Sequence, residues 1–550
     1  MLRDTLNCYS GIVTAVLGSV NRTPSPKVHG TPNPPARNEE NVGTNPYERV
    51  TAAVAAINDV LNAMNVLVWD ARVNMPASGA RARAEQSATL TTLAQERLLA
   101  PSLADDVAAS RAELGADATL VQARTLDAVE EAIAYHRGLP PELTARLARA
   151  KGTAQQAWVE ARRADDFAGF APHLQHMLEI KREVAERTAP ELPLYDALLA
   201  EYEPGVRASD LTTLFETLKA TLVPLVAEIR EARAPRTDLL RRHYDVDRQR
   251  AFALEIARRF GYDTERGRLD VAPHPFEISF ATGDVRITTR YDERWLAQSM
   301  FATWHEAGHG IYEQYADPAH ARGALSSDLI GLYAVSGTSY GTHESQSRLW
   351  ENLVGRSRTF WDAHYGALVD VFPDALADID VETFHRAINA VTPSCIRVEA
   401  DELTYHLHIM LRFELEHALL DGSLKVRDLP GAWNEAMVSY LGVRPPDDRL
   451  GVLQDLHWSV GLVGAFPTYT IGTVMASQFY AAALRDDVAI LPELTAGTYG
   501  RLHGWLHEHV YRHARLYRAG ELLERSTGRG LDPSDYLTYV KEKYGALYGL

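Results

Sequence analysis

The stretch HEAGH, His305 to His309, sets two histidines four residues apart with a glutamate directly after the first. On a helix such a pair shares one face at about 6 Å, so both imidazoles can aim at a single ion at about 2 Å. Glu306, about 100° further around, is badly placed to be a third ligand and well placed to reach a water on that ion. This is the arrangement for zinc-assisted hydrolysis, in which the metal acidifies a water and the carboxylate takes its proton. Two surface histidines beside a chance acid would give the same five residues. Gly308 and Gly310 argue for more, because each interior glycine costs a helix about 1 kcal/mol relative to alanine. A close approach at this point, by a crossing helix or by a substrate, would account for them.

A catalytic zinc site takes three protein ligands and leaves a fourth position to water. The third must come from another element. Candidates are Glu344 and Glu351 in THESQSRLWENLVG, and Glu399, Glu402, His406 and His408 in IRVEADELTYHLHIMLRFELE. Spacing does not choose among them. A carboxylate on a bound substrate would be read best by the two-pronged donor of arginine. Arg286, Arg290, Arg348 and Arg397 are available.

The elements that hold these residues are legible from periodicity. From Tyr291 the chain reads YDERWLAQSMFATWHEAGHGIYEQY, with Trp295, Met300, Trp304 and Ile311 as apolar anchors and no proline before Pro318, which predicts a helix. Just before it, HPFEISFATGDVRITTRY alternates Phe276, Ile278, Phe280 and then Val285, Ile287 around Thr-Gly-Asp, which predicts a hairpin. An exposed strand edge there would let an extended peptide add main-chain hydrogen bonds. Stripes such as Val50, Val54, Ile57, Leu61 and Leu211, Phe215, Leu218, Leu222 recur almost to the C-terminus without a linker or an internal repeat. The expectation is a mainly α protein, one large helical body with a small β element beside the histidine helix.

The domain reading is a disordered tail at 1–44, where Asn21 to Thr44 is rich in proline, asparagine and glycine, and a single helical domain at 45–550. The apolar run at Gly11 to Val20 is short, weakly basic at its start and without a convincing cleavage site, so it does not read as a secretory signal. No stretch is expected to reach the 18 or more apolar residues of a membrane helix. Cys8 and Cys395 provide no disulfide framework, which fits a cytoplasmic protein without a membrane partner. Lys plus Arg is 56 against 73 for Asp plus Glu, a net charge of −17, and such a surface argues against nucleic acid as a partner.

The ordered series LVWDARVNMPASGARARAEQ, AWVEARRADDFAGFAPHL, YDALLAEYEPG, GRLDVAPHPF, DVRITTRY, HEAGH, HESQSRLWEN, IRVEADELTYHLHIMLRFELE and GVLQDLHWSVGLVGAFPTY resembles the thermostable carboxypeptidases of the HExxH metallopeptidases, the group that contains the Taq carboxypeptidase. The resemblance covers roughly Asn45 to Leu550. It implies His305, His309 and Glu344 as ligands of one zinc ion, with cobalt able to substitute, and Glu306 as catalytic acid–base. It implies a saddle-like helical homodimer that releases C-terminal residues from peptides with broad preference and spares proline. The family motifs fall on His274-Pro275-Phe276, Asp284-x-Arg286-x-Thr288, Ile396-Arg397 through Ala400-Asp401, and Gln454-Asp455-x-His457-Trp458.

From these we take His457 and Tyr405 as candidate donors to the carbonyl oxygen, His457 having fixation of Asp455 or a ligand as its rival role. Arg397, in the IRVEAD motif, is the preferred carboxylate reader and Arg286 the second choice, with His274, Asp284, Gln454 and Tyr469 as further substrate-binding residues. Glu351 is expected to hydrogen bond a ligating histidine. Two features depart from the pattern: the stretch between His309 and Glu344 is longer than usual and contains ALSSDLIGLYAV, and Ala465 stands where tyrosine is expected. An endopeptidase of related helical architecture, or an interaction protein with a fortuitous HEAGH, would share the fold and differ in what happens to a peptide.

Overall fold

A computed structural model describes residues 45–550, so the expectation of a disordered tail at 1–44 lies outside the described residues. The chain is predominantly α-helical, as expected. Asn45 accepts the N–H of Glu48 and Pro46 occupies the first turn, the two signals that start a helix, and α1 (Pro46–Val73) follows. Among the described residues it is the one helix long and apolar enough by composition to cross a membrane, contrary to the expectation that no stretch approaches this. Its stripe of Val50, Val54, Ile57 and Leu61 is fully buried against protein. With the helices Ala80–Leu98, Pro101–Leu114 and Leu120–Arg137 it builds a small hydrophobic core. The later helices, from Pro141 onward, build a much larger one.

The expected hairpin exists as β2 (Glu277–Ala281) and β3 (Asp284–Thr289), which pair antiparallel. The sheet has a third strand that alternation did not show: β1 (Gly267–Val271) pairs with β3 in parallel, giving the order β1-β3-β2. β1 carries only two apolar residues, Leu269 and the exposed Val271, too few to show a period. The central strand carries Val285, Ile287, Thr288 and Thr289 fully buried, while β2 is an edge.

The histidine helix α2 (Leu296–Gln314) starts five residues later than Tyr291. Asp292 causes the delay: its carboxylate accepts the Arg294 N–H and its carbonyl accepts the Trp295 N–H, so the chain turns before the helix begins. The helix is buried nearly all round, between β3 on one side and the helix Val246–Phe260 on another. Then come a short hairpin of β4 (Ser327–Asp328) and β5 (Tyr333–Ala334), α3 (Tyr340–Arg348) and a π-helical turn at Leu349–Val354. Two long buried helices, α4 (Tyr405–Asp421) and α5 (Pro467–Asp486), back the site.

Candidate metal centre

Glycine notches fix α3 on two sides. A Cβ on Gly308 of α2 would stand 2.5 Å from the Gln346 carbonyl oxygen and 2.6 Å from the Ser347 Cα, so α2 and α3 touch backbone to backbone. On the far side, a Cβ on Gly472 of α5 would stand 2.8 Å from the Cβ and Cγ of Glu344. The helix start is held by Ser339, whose hydroxyl accepts the Thr342 N–H at 3.0 Å, and by the buried Glu203, which accepts the Gly341 N–H. The close approach implied by Gly308 is therefore a helix crossing. Gly310 makes room for the Tyr262 ring, whose nearest carbon is 2.9 Å from where a Cβ would lie.

This crossing brings Glu344 to the two histidines. Its Oε2 stands 3.5 Å from His305 Nε2 and 3.4 Å from His309 Nε2, and the ligand atoms of the three residues all lie within 4.8 Å of one another. Two imidazole nitrogens and a carboxylate oxygen at such separations can share one ion at about 2 Å and suit zinc. His305 Nδ1 lies 2.9 Å from Glu351 Oε2. That partner assigns the proton to Nδ1 and turns the Nε2 lone pair toward Glu344 and His309, as a ligating histidine requires. The π-helical turn, which carries Glu351, widens the helix where this contact forms. His309 stacks on His343 at 4.5 Å between ring centroids, and His343 Nε2 lies 3.0 Å from Glu313 Oε1. These residues fit a zinc ion, with His305, His309 and Glu344 as the holders.

The surrounding charges sort the carboxylates into different roles. Burial raises the Glu306 carboxyl to about 7, Glu344 and Glu351 adding to the shift and His305 opposing it. A carboxylate so poised can accept a proton near neutral pH and give it back. Burial also acts on Glu344, but the Arg348 guanidinium and the two histidines outweigh it and hold that carboxyl well below the usual range. Arg348 Nε donates to Glu344 Oε1 at 2.7 Å. Glu351 is likewise held down to about 2, its burial overcome by the His305 bond, Arg348 and Arg356. Burial and the neighbouring His343 keep His309 neutral by lowering it to about 3.

The cleft over the triad is walled by α1, Tyr202, β2, the segment from Asp328 to Tyr340 and Arg515. None of Arg397, Arg286, His274, Asp284, Gln454, Tyr469, Tyr405 or His457 is in that wall. Arg286 forms a two-pronged pair with Asp284 at 2.8 Å through each prong and lies over Trp69 and Phe280. His274 is half-buried in the connection between β1 and β2. Gln454 is a clip: its Oε1 accepts the Arg397 N–H at 2.8 Å and its Nε2 donates to the Cys395 carbonyl at 2.8 Å.

Arg397, 5% exposed, donates from Nε and Nη2 to Asp455 and from Nη1 to the Tyr405 hydroxyl at 2.9 Å. Tyr405 connects this group to the triad, its ring 4.8 Å from the Arg348 guanidinium. His457 Nε2 lies 3.2 Å from the Tyr469 hydroxyl, and both line a small cavity with Ala465. That cavity shares Tyr202 and Tyr340 with the cleft, so two tyrosines 5.3 Å apart form the partition between them. Of the other ligand candidates, Glu402 pairs with Lys543 at 2.6 Å and His406 Nδ1 meets the Thr470 hydroxyl at 3.0 Å.

Sequence reasoning missed Glu313, His343, Glu277 and Glu203. Glu313 follows His309 by four residues, so it continues the same helix face, a signal that was available. Glu277 lines the cleft beside Glu306 and Glu203 clamps α3 from a distant segment, and neither carries a local signature.

The family model for carboxypeptidase Taq (M32) metallopeptidases matches residues 49–544. This chain belongs to that family. Thermostable carboxypeptidase 1 of Thermus thermophilus is 41% identical to it over 519 residues, 92% of this chain and 98% of the relative. The crystal structure of an M32 carboxypeptidase from Deinococcus radiodurans is similar with a TM-score of 0.88 at 40% identity, over 92% of this chain and all of that one, 100%. A structure of the Pyrococcus furiosus carboxypeptidase gives 0.86 at 34% identity, covering 92% and 100%. The chain is an M32 metallopeptidase, and a His-His-Glu cluster able to hold a metal ion stands at the crossing of α2 and α3.

Proposed function

We propose that this M32 enzyme is a zinc carboxypeptidase that releases single C-terminal residues from peptides with broad preference, disfavours proline beside the cut, and works as a cytoplasmic homodimer. The observation that carries the reading is the convergence of His305, His309 and Glu344 on one point with Glu306 beside it, under an open cleft. Zinc held there would supply a Lewis acid for the scissile carbonyl and a more acidic water. Glu306 takes the proton of the attacking water on its carboxylate and returns it to the leaving amine nitrogen. Glu351 orients His305 through Nδ1, and Arg348 orients Glu344.

Recognition of the free C-terminus falls to Arg397 in this reading. Asp455 is shared between Arg397 and Arg412, so two guanidiniums meet one carboxylate and the group attracts a second anion. A substrate carboxylate that takes over Arg397 Nη1 would release the Tyr405 hydroxyl, which can then donate to the carbonyl oxygen. His457, buried and neutral beside Tyr469, orients that tyrosine, and Gln454 holds Arg397 in place. Arg286, Asp284 and His274 support the sheet whose edge, β2, accompanies the peptide. A second reading for the carboxylate rests on Arg72 and Arg515, the arginines that line the cleft itself.

A blocked tripeptide with a free C-terminus, compared with its amide and followed by mass spectrometry, tests the proposal. Single-residue release from the acid with a much slower amide supports it, and comparable internal cleavage of both overturns it. Arg397→Ala and Arg515→Ala, each assayed for the acid-to-amide ratio, separate the two carboxylate readers.

A further inference from the structure

The hairpin from Ser327 to Ala334 forms one side of the metal cleft, and it is fastened from behind. Asn58 Nδ2 donates to the Ser327 hydroxyl at 2.5 Å, and Asn65 Nδ2 donates to the carbonyls of Ala334 and Ser279 at 3.2 and 2.8 Å, tying the hairpin to the edge strand β2. His136 Nε2 lies 3.0 Å from the Leu329 carbonyl oxygen. Leu329 and Ala324 are buried in the core of the four N-terminal helices. Within the turn, Asp328 Oδ1 accepts the N–H groups of Ile330 and Gly331, so its carboxylate braces the turn. A wall held at both ends and in the middle is preformed, which saves a ligand the cost of ordering it.

Beside Asp328, the wall presents mainly carbon to the cleft. Ile330, Leu332 and Tyr333 face the cleft from the hairpin, and Met64 and Val68 of α1 and Ile278 of β2 complete an apolar bowl beside His305, Glu306 and His309. Leu332 adopts φ 56°, a left-handed conformation that a leucine takes only where its surroundings enforce it. Glycine would relax this turn. Leu332 is buried in the core of the N-terminal helices and also lines the cleft, so its side chain joins that core to the cleft wall, and glycine there would leave both unfilled.

We propose that this hairpin is the specificity-determining wall of the enzyme, and that the bowl takes a bulky apolar side chain, aromatic or long aliphatic, from one of the two residues flanking the scissile bond. The proposal rests on the carboxypeptidase reading above and adds the class of residue the cleft selects.

The test uses the full-length metal-loaded enzyme and blocked dipeptides with a free C-terminus, in which each of the two positions is varied in turn among alanine, leucine, phenylalanine and glutamate. Wild type should favour phenylalanine or leucine over alanine at one position by tenfold or more in kcat/KM. Leu332→Gly, which removes the side chain where the backbone already suits glycine, and Ile330→Thr should each cut that ratio several-fold. Circular dichroism and the unfolding midpoint confirm that the variants are folded. Ratios unmoved in both folded variants, or a wild type indifferent to size at both positions, overturn the proposal. Binding of the same dipeptides to Glu306→Gln, read by calorimetry, separates it from the reading on which it rests. Selective binding of phenylalanine peptides without any release by wild type would sink the carboxypeptidase reading and leave the wall standing. Release by wild type without selectivity would do the reverse.

Discussion

Two buried polar clusters stand one behind the other in this enzyme, linked by Arg348 and Tyr405. In the front cluster His305 Nε2 and His309 Nε2 face Glu344 Oε2 at 3.5 and 3.4 Å, and Glu344 also accepts from the Ser347 hydroxyl and Arg348 Nε. In the rear cluster every acceptor of Asp455 meets a donor: Oδ1 takes Nε and Nη2 of Arg397 at 3.1 and 2.9 Å, and Oδ2 takes Arg412 Nε at 2.6 Å. Both are almost completely removed from water. The difference is one of inventory. Two imidazole nitrogens and a carboxylate oxygen that converge on one point suit a cation, whereas two guanidiniums that share one carboxylate keep a surplus of positive charge and suit an anion. A buried ionic group is therefore informative about function only when its partners fail to match.

Three tests would break this contrast, and a fourth would sharpen it. The largest effect is expected for Glu306→Gln, which should retain metal by elemental analysis and lose turnover by about three to four orders of magnitude, the upper range for a positioned proton acceptor. Wild-type turnover in that variant would contradict the role given to Glu306. Next, Asp455→Ala should strand two buried guanidiniums and cost about 3–5 kcal/mol in urea unfolding. Glu344→Ala should mainly abolish metal retention in chelator competition. If Asp455→Ala unfolded no more easily than wild type, Asp455 would not be what holds Arg397 and Arg412 in place.

The third test concerns pH. Burial raises the Glu203 carboxyl from 4.5 to about 8, so the folded chain keeps a proton that the unfolded chain gives up. Stability from this group is undiminished below pH 4.5, declines as the pH rises and levels off above about 8. The decline amounts to roughly 4 kcal/mol across that window. Glu203→Gln should flatten it, and the measurement is the difference between the two proteins in urea midpoints at pH 5.5 and 8.5. Equal slopes would show that Glu203 is ionised throughout. The smallest effect should come from Glu351→Gln. It keeps the shape of the side chain but weakens the hold on His305, and should lower metal affinity by about 10–100-fold while leaving the fold intact. A loss as complete as that in Glu344→Ala would make Glu351 a ligand.

What could be read in advance follows the same division. The paired histidines and Glu306 sit within one helical turn, so period and spacing suffice to place them. The third ligand lies on a helix whose position depends on Gly308 and Gly472, and only the family resemblance singled out Glu344. The walls of the cleft were unreadable: Asn65 reaches Ala334, and Glu203 reaches Gly341, across long stretches of chain that no local pattern connects. Arg397 was legible as a motif residue, yet not its closure behind Tyr405 and Asp455. β1 was missed because its only apolar residues are Leu269 and Val271, and α2 was started early because Asp292 turns the chain before the helix can form.

The notches at Gly308 and Gly472 carry a lesson for anyone who would graft this centre onto another scaffold. Copying His305, Glu306, His309 and Glu344 would transfer the chemistry's vocabulary without its spacing, for the glutamate reaches the histidines only because two helices on either side of it lack a methyl group. In a single Gly308→Ala change the new methyl would press on the Gln346 carbonyl of the carrier helix, now 2.5 Å from where that carbon would sit, and push the helix outward. It would misplace the ligand while every coordinating residue remained in the gene. The blueprint to copy is the thickness of a backbone crossing.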